Sequence, residues 1–184
     1  KKYDVKLIVR SSLNKEEGTI VKEEVKLEKM LISGVASDKN AARISIIGVK
    51  DEPGIAFRIF NLLAKENINV DIILQSVGRD GTKDISFTIA EGSLNEALGI
   101  LKNAKNRITA QNLEFEEDVA KVSIVGAGMM TNPGVAAKMF EALYNEGINI
   151  KMISTSEIRV TVLIEEEEVD RAVRAVHAAF SLGE

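Results

Sequence analysis

The sequence predicts an α+β protein of two βαββαβ modules, each an antiparallel sheet with its helices on one face, the first module inserted into the second. Three observations predict this: an internal repeat, two prolines at matching places in the repeat, and a strand that the second copy lacks.

Residues 42–48 read A-R-I-S-I-I-G, and residues 120–126 read A-K-V-S-I-V-G. Self-similarity at this separation is the mark of a duplicated structural unit. Pro53-Gly54-Ile55-Ala56 answers Pro133-Gly134-Val135-Ala136, and Ile68-Asn69-Val70 answers Ile148-Asn149-Ile150. The chain has only two prolines, and both fall inside this frame.

In the first copy, residues 43–49 alternate around β-branched side chains and read as a strand. Asp51-Glu52-Pro53-Gly54 is a turn, with the proline placed for the first position of a helix, where its missing N–H is not needed. Apolar residues at three-to-four spacing then predict a helix over 55–64, ending near Asn67. A strand over 70–77, a hairpin turn at 78–81 and a strand over 84–90 follow. Ser93 and Glu96 have the spacing of a capping box, starting a helix that runs to about Lys105. A last strand lies near 110–116. The second copy reads as strand 121–127, helix 134–146, strands 149–156 and 158–165, and helix 167–180, where its fourth strand is missing. An unpaired edge is a liability in so small a sheet. The apolar segment Met30-Leu31-Ile32-Ser33-Gly34-Val35-Ala36 precedes the first copy and is the segment available to complete the second sheet. The alternative assigns it to a further upstream domain. The expected division is a junction at 1–30, a first module at 42–118, and a second at 31–37 plus 119–181.

Composition narrows the function. The 184 residues are 45% apolar and 28% charged, with a net charge of −4. That balance gives no basic surface for nucleic acid. No apolar run reaches the roughly 20 residues that span a bilayer. Lys1-Lys2-Tyr3-Asp4 does not read as a signal peptide, and a start without Met suits a fragment. Cysteine is absent, which rules out disulfides and thiolate metal sites and agrees with a reducing cytosol.

The candidate site is the turn between the first strand and first helix of each copy. A helix start offers free N–H groups and partial positive charge, a ready place for a carboxylate. Gly54 and Gly134 have no Cβ to keep a ligand from the backbone. Asp51, on the same loop, has the charge to receive an ammonium group. Together these suit an amino-acid zwitterion; the bland alternative is a helix-starting turn and nothing more. Other features carry less. Gly126-Ala127-Gly128 lacks the third glycine of a dinucleotide turn, since Thr131 stands there, and reads as a loop. His177, the only histidine, makes neither a triad nor a metal site. Glu165 to Glu168 match a helix dipole without a metal. Met129 and Met130 read as packing.

Several runs resemble the tandem ACT domains of aspartate kinases: Val122 to Met129, Asn132-Pro133-Gly134-Val135, Ile153-Ser154-Thr155-Ser156-Glu157-Ile158-Arg159, and Asn69 to Gln75. The resemblance covers roughly residues 31–180, and the Ile-Ser-Thr-Ser-Glu-Ile-Arg run is its most specific part. Upstream, Val9-Arg10-Ser11-Ser12 with Gly18-Thr19 is similar to the stretch leaving the kinase domain in that family. The resemblance implies a ferredoxin-like ACT fold with interlocked modules. It implies feedback inhibition of ATP-dependent phosphorylation of aspartate, with the kinase domain outside this chain, which is then a fragment or a separate small subunit. ATP and Mg would belong to that kinase domain or large subunit; no cofactor is expected in this chain.

In the family, modules pair side by side between two chains of a homodimer, and effector sits between the first module of one and the second of the other. Carried over by motif, the effector-binding residues are Asp51, Gly54, Ile55, Ala56 and Gln75, with Asn149 and Ile150 from the partner. The pseudo-equivalent site uses Asn132, Gly134, Val135, Ala136 and Thr155, with Asn69 and Val70 opposite. Ile55 stands where some members have a carboxylate and Ala136 where some have Thr, which bears on effector identity; the expectation is lysine, with threonine next. Rival readings are a free-standing ACT–ACT sensor, an RNA-binding protein of the same strand order, and a complete enzyme. RNA recognition needs stacking aromatics, and aromatics are 4% here. No catalytic set stands out.

Overall fold

A computed structural model describes residues 7–9, 19–21, 32–76, 78, 80–129 and 132–182. The elements in order are β1 (Leu7–Val9), β2 (Thr19–Val21), β3 (Gly34–Lys50), α1 (Ile55–Lys65), β4 (Val70–Gln75), β5 (Thr82–Ile89), α2 (Leu94–Asn103), α3 (Lys105–Ile108), β6 (Asn112–Val125), α4 (Val135–Asn145), β7 (Met152–Thr155), β8 (Arg159–Glu165) and α5 (Val169–Ala179). β1 and β2 form an antiparallel pair of their own. The junction expected over 1–30 otherwise lies outside the described residues, as do Met30 and Leu31.

The other six strands make one antiparallel sheet in the order β4-β5-β3-β6-β8-β7. Its centre is the long pair β3–β6. Ala41–Ile47 of β3 runs against Asn112–Val119 of β6 in the first module, and Gly34–Asp38 runs against Lys121–Val125 in the second. The strand before the first module therefore closes the second sheet, and the first module is inserted into the second. Sequence pattern had split each long strand in two. The ladder instead continues through polar residues 37–40, with irregularities at Asp38/Ala41 and Ala41/Arg43, because register there is set by the partner strand rather than by hydrophobic alternation.

The repeat is kept at the level of packing. α1 buries Ile55, Ile59 and Leu63; α4 buries Val135, Met139 and Leu143, at the same positions of the second copy. These spacings of four residues place one stripe of each helix on its sheet. Both helices end alike. Asn67 (φ 57°) and Gly147 (φ 69°) turn left-handed, and the amides of Ile68 and Ile148 donate to the carbonyls of Leu63 and Leu143, which closes the last turn. The first core gathers α1 and α2 against Ile44, Ile46, Ile85 and Phe87. The second gathers Ile32, Val122, Ile124, Val162 and Ile164 under α4 and α5.

A third cluster lies on the face turned away from the helices. Ala41, Ile72, Val119, Met152 and Leu163 meet there, with Leu74 beside them. Ile72 belongs to β4 and Met152 to β7, the two outermost strands. The sheet therefore folds back at β3–β6, and its two halves face each other across their helix-free sides.

Some local expectations change. Ser93 sits at the N-cap position of α2 but has helical backbone angles and makes no capping hydrogen bond, because residues 91–93 form a 3₁₀ turn. A cap acceptor needs an extended N-cap, so the capping box does not form. Pro53 lies before the helix, and Gly54 is the N-cap. The helix expected over 167–180 starts as a 3₁₀ turn at Glu166–Glu168. No helix among the described residues is long and apolar enough to cross a membrane.

Candidate functional site

The two glycine turns adopt the same geometry. Gly54 has φ 87° and Gly134 φ 94°, left-handed values that disfavour any residue with a Cβ. Nothing lies within 4 Å of where a Cβ would stand on either. The first-turn amides of Ala56 and Phe57 in α1 have no intrahelical acceptor, by the geometry of any helix start. Each turn thus offers donors, partial positive charge and open space.

The charges around the first turn are already engaged. Asp51 Oδ1 lies 2.8 Å from Lys83 Nζ, whose side chain is largely buried. The Asp51 amide donates to the Gly81 carbonyl, which ties the turn to the β4–β5 hairpin. Glu52 accepts from Arg58 and pairs with Lys50, and hydrogen bonding from Arg58 holds its carboxyl below the usual range. Asp51 is an anion already paired, and Lys83 is a cation at the turn that sequence reading missed.

Gln75 ends β4, exposed at one sheet edge. Asn149 (exposed) and Ile150 (half-buried) precede β7 at the other edge. Asp51, Gly54, Ile55, Ala56 and Gln75 thus gather at one end of the first module, while Asn149 and Ile150 lie on the opposite edge. In the pseudo-equivalent set, Asn132, Gly134, Val135 and Ala136 surround the start of α4, Thr155 ends β7, and Asn69 and Val70 lie at the start of β4. Uncovered apolar side chains lie on both edge strands, Ile73 (50% exposed) of β4 and Ile153 (40%) of β7, and on the two helices that follow the glycine turns, Phe57 (70%) of α1 and Tyr144 (80%) of α4.

Between the facing halves of the sheet lie two ion networks. Lys121 Nζ is 2.9 Å from Asp38 Oδ2 and 2.7 Å from Asp71 Oδ2. Burial works to lower the Lys121 ammonium, and hydrogen bonds to the two carboxylates outweigh it, so its pKa stands above the ordinary 10.5. On the pseudo-equivalent side, Lys151 Nζ is 2.7 Å from Glu165 Oε1 and 3.2 Å from Glu116 Oε2, while Arg43 Nη2 donates to Glu116 Oε1 at 2.8 Å. Glu116 Oε2 accepts no well-angled hydrogen bond, so its contact with Lys151 is Coulombic. Hydrogen bonding to Glu165 raises Lys151, against burial. Arg43 and Lys121 occupy the same position of the two copies, and so do Asp71 and Lys151 with reversed charge. Asp71–Lys121 and Lys151–Glu116 each join a residue of one module to one of the other.

These contacts give a pH dependence. The Lys121 hydrogen bond holds Asp38 below the ordinary 3.8, against burial. A depressed carboxylate contributes stability that is complete above its unfolded value and lost as pH falls through the folded one. Acidification below about pH 4 is expected to loosen the second module at Asp38. The check is the urea midpoint measured stepwise in pH for the parent and for Asp38→Asn. The variant's profile should be flatter; superimposable profiles would remove Asp38 from the account.

Of the remaining sequence candidates, His177 is exposed on α5, Met129 packs at the edge of the second core, and Met130 lies outside the described residues. Among the described residues no three His, Cys, Asp or Glu side chains cluster as a metal site. The chemistry on offer at the turns is binding.

The ACT domain family model matches residues 44–104 and again 122–180. An aspartokinase of Bacillus sp. (strain MGA3) is 46% identical over 99% of this chain and 44% of its own length. The chain thus spans less than half of that curated relative. The regulatory subunit of aspartate kinase from Thermus thermophilus, in its ligand-free form, is 43% identical with a TM-score of 0.76, over 82% of this chain and 99% of that one. E. coli aspartokinase III, solved with lysine and aspartate, is 26% identical with a TM-score of 0.67, over 98% of this chain and 40% of that one. Two matches to one family model, in the same two copies that the repeat and the cores define, place this chain in the ACT domain family, as an aspartokinase regulatory region.

Proposed function

We propose that this regulatory region binds an end-product amino acid between two chains and thereby inhibits ATP-dependent phosphorylation of aspartate by an attached kinase domain or a large subunit, in the cytoplasm. The observation that carries the proposal is the paired turn geometry: two left-handed glycines, each with open space before a helix start, next to uncovered edge strands. A second copy of the chain, pairing through these edges, covers Phe57, Ile73, Tyr144 and Ile153 and brings Asn149 and Ile150 to the Asp51–Gly54 turn. The effector carboxylate takes the first-turn amides of α1, and Gln75 fixes its orientation. Lysine is the first choice of effector and threonine the second. Asp51 and Lys83 favour a ligand with both charges, and lysine is one of the two ligands, with aspartate, in the related E. coli enzyme's crystal.

Amino acid held across two chains adds contacts in one dimer arrangement only, and shifts the population by its differential affinity. A coupling of about 1–3 kcal/mol is typical of such devices. Gln75→Ala is expected to weaken effector binding about tenfold or more, the worth of a hydrogen bond to a charged group at roughly 1.5–3 kcal/mol. Calorimetric titration with lysine, threonine and methionine, with inhibition measured on the full kinase, reads this. Unchanged affinity and unchanged inhibition would overturn the assignment.

A further inference from the structure

Between the facing halves of the sheet lies a half-open cavity of about 320 Å³ beside the Lys121 network, within the size range of small-ligand pockets. It is separate from the two glycine turns, although its lining includes Thr155 of the pseudo-equivalent set and Ile73 of the β4 edge. It lies within one chain, on the helix-free side, and no helix start reaches it. Asp71, Ile72 and Ile73 of the first module form one wall; Ser154, Arg159 and Thr161 of the second form the other. Its floor carries Ser123, whose hydroxyl bonds Thr161 Oγ1 at 2.8 Å.

The internal symmetry shows that this opening is particular to one side. The Ser76 amide donates to the Asp84 carbonyl at 3.0 Å, and the Ser156 amide donates to the Arg159 carbonyl at 2.7 Å. Ser76 and Ser156 are thus equivalent, as are Asp84 and Arg159, and Leu74 answers Ser154. On the first-module side, Leu74 packs into the apolar cluster between the sheets, and Asp84 Oδ1 accepts the Gly48 amide. On the other side, Ser154 leaves the volume open. Arg159 shares its strand face with Thr161, two residues on, and its side chain makes no ion pair or hydrogen bond among the described residues.

The charges around this space also fail to close on themselves. Asp38 and Asp71 share the single ammonium of Lys121, which leaves one negative charge in excess, and Arg159 brings an unshared positive charge. We propose that the cavity is a second small-molecule site, for a free amino acid: its carboxylate on Arg159, its ammonium on Asp71 and Asp38, its side chain toward Ile72 and Ile73. Such a ligand neutralises both charges at once and bridges the two modules of one chain. The site needs neither a second chain nor the glycine turns; it shares only Thr155 and Ile73 with the surfaces invoked above.

The test is calorimetric titration of the full chain with L-aspartate, L-lysine, L-threonine and L-methionine in turn, in a Gln75→Ala background that weakens the turn site. Ser154→Leu copies the filled side into the open one, and Arg159→Gln removes the carboxylate partner at an exposed position. At least one of the four amino acids is expected to bind, Arg159→Gln to weaken it tenfold or more, and Ser154→Leu to abolish it while the thermal midpoint is kept. If Ser154→Leu does not fold, Arg159→Gln alone decides. Absence of binding in the Gln75→Ala background, or binding that Arg159→Gln leaves unchanged, would overturn the inference; the first of these leaves the interface reading intact, and the second shows that the ligand sits elsewhere.

Discussion

Phe87→Ala is expected to destabilise the protein by about 3–5 kcal/mol, the usual cost of removing a buried phenylalanine. Phe87 is fully buried on β5 at the centre of the first core. Its ring meets that of Phe60 edge-on, with centroids 5.4 Å apart and planes at 75°, a geometry worth about 0.5–1.5 kcal/mol beyond the buried area. β5 is hydrogen-bonded on both sides, to β3 and β4, so its backbone has little freedom to close the void. A whole domain is stable by only about 5–15 kcal/mol. Urea unfolding followed by circular dichroism reads the loss, and hydrogen exchange should locate it in α1, α2, β4 and β5. A change under about 1 kcal/mol would mean that the site repacks and that the core is looser than described.

Ile32→Ala is expected to cost about 2–5 kcal/mol, with the loss of protection in α4 and α5. Ile32 precedes the whole first module in sequence, yet it is 1% exposed in the second core. The adjacent ladder is firm: the Ser33 amide donates to the Val125 carbonyl at 2.6 Å, and Gly34 to Asp38 pair with Val125 to Lys121. The distribution of the damage decides more than its size. Should exchange rise in α1 and α2 instead, Ile32 would not belong to the second core.

Helices and turns were legible in the sequence because their signals are local. The stripe Ile55, Ile59, Leu63 and its copy Val135, Met139, Leu143 define helix faces from spacing alone, and Pro-Gly marks the turn in both copies. The closing of the second sheet by the segment before the first copy was legible for another reason: a duplicated unit with a missing strand must take it from somewhere. What was not legible depends on partners far away in the chain. The passage of β3 through Ser37-Asp38-Lys39-Asn40 is a matter of ladder pairing with β6, and those residue types alone suggest a loop. Ser93 and Glu96 have capping-box spacing, but the 3₁₀ turn that ends at Ser93 sets its backbone first.

The candidate site divides in the same way. Gly54 and Gly134 could be singled out because a missing Cβ is a property of the residue. That Asp51 is held by Lys83 could not, because the hairpin brings them together. Arg43 and Lys121 carry no local mark of their partners. Only the folding back of the sheet puts Lys121 against Asp71 and Lys151 against Glu116. Arg159 stood in the run that resembles aspartate kinases, with nothing to mark it as unpartnered.

The sharing of β3 and β6 by both halves sets an order of assembly. The first module is contiguous and can form from its own residues. The second cannot be completed until Gly34–Asp38 reaches Lys121–Val125 across that entire insertion. In a disordered chain this closure carries a large entropic cost, but a folded insertion holds the two ends together in advance. The first module therefore acts as the template on which the second is finished, and slow folding of this chain should trace to the late arrival of one five-residue strand segment.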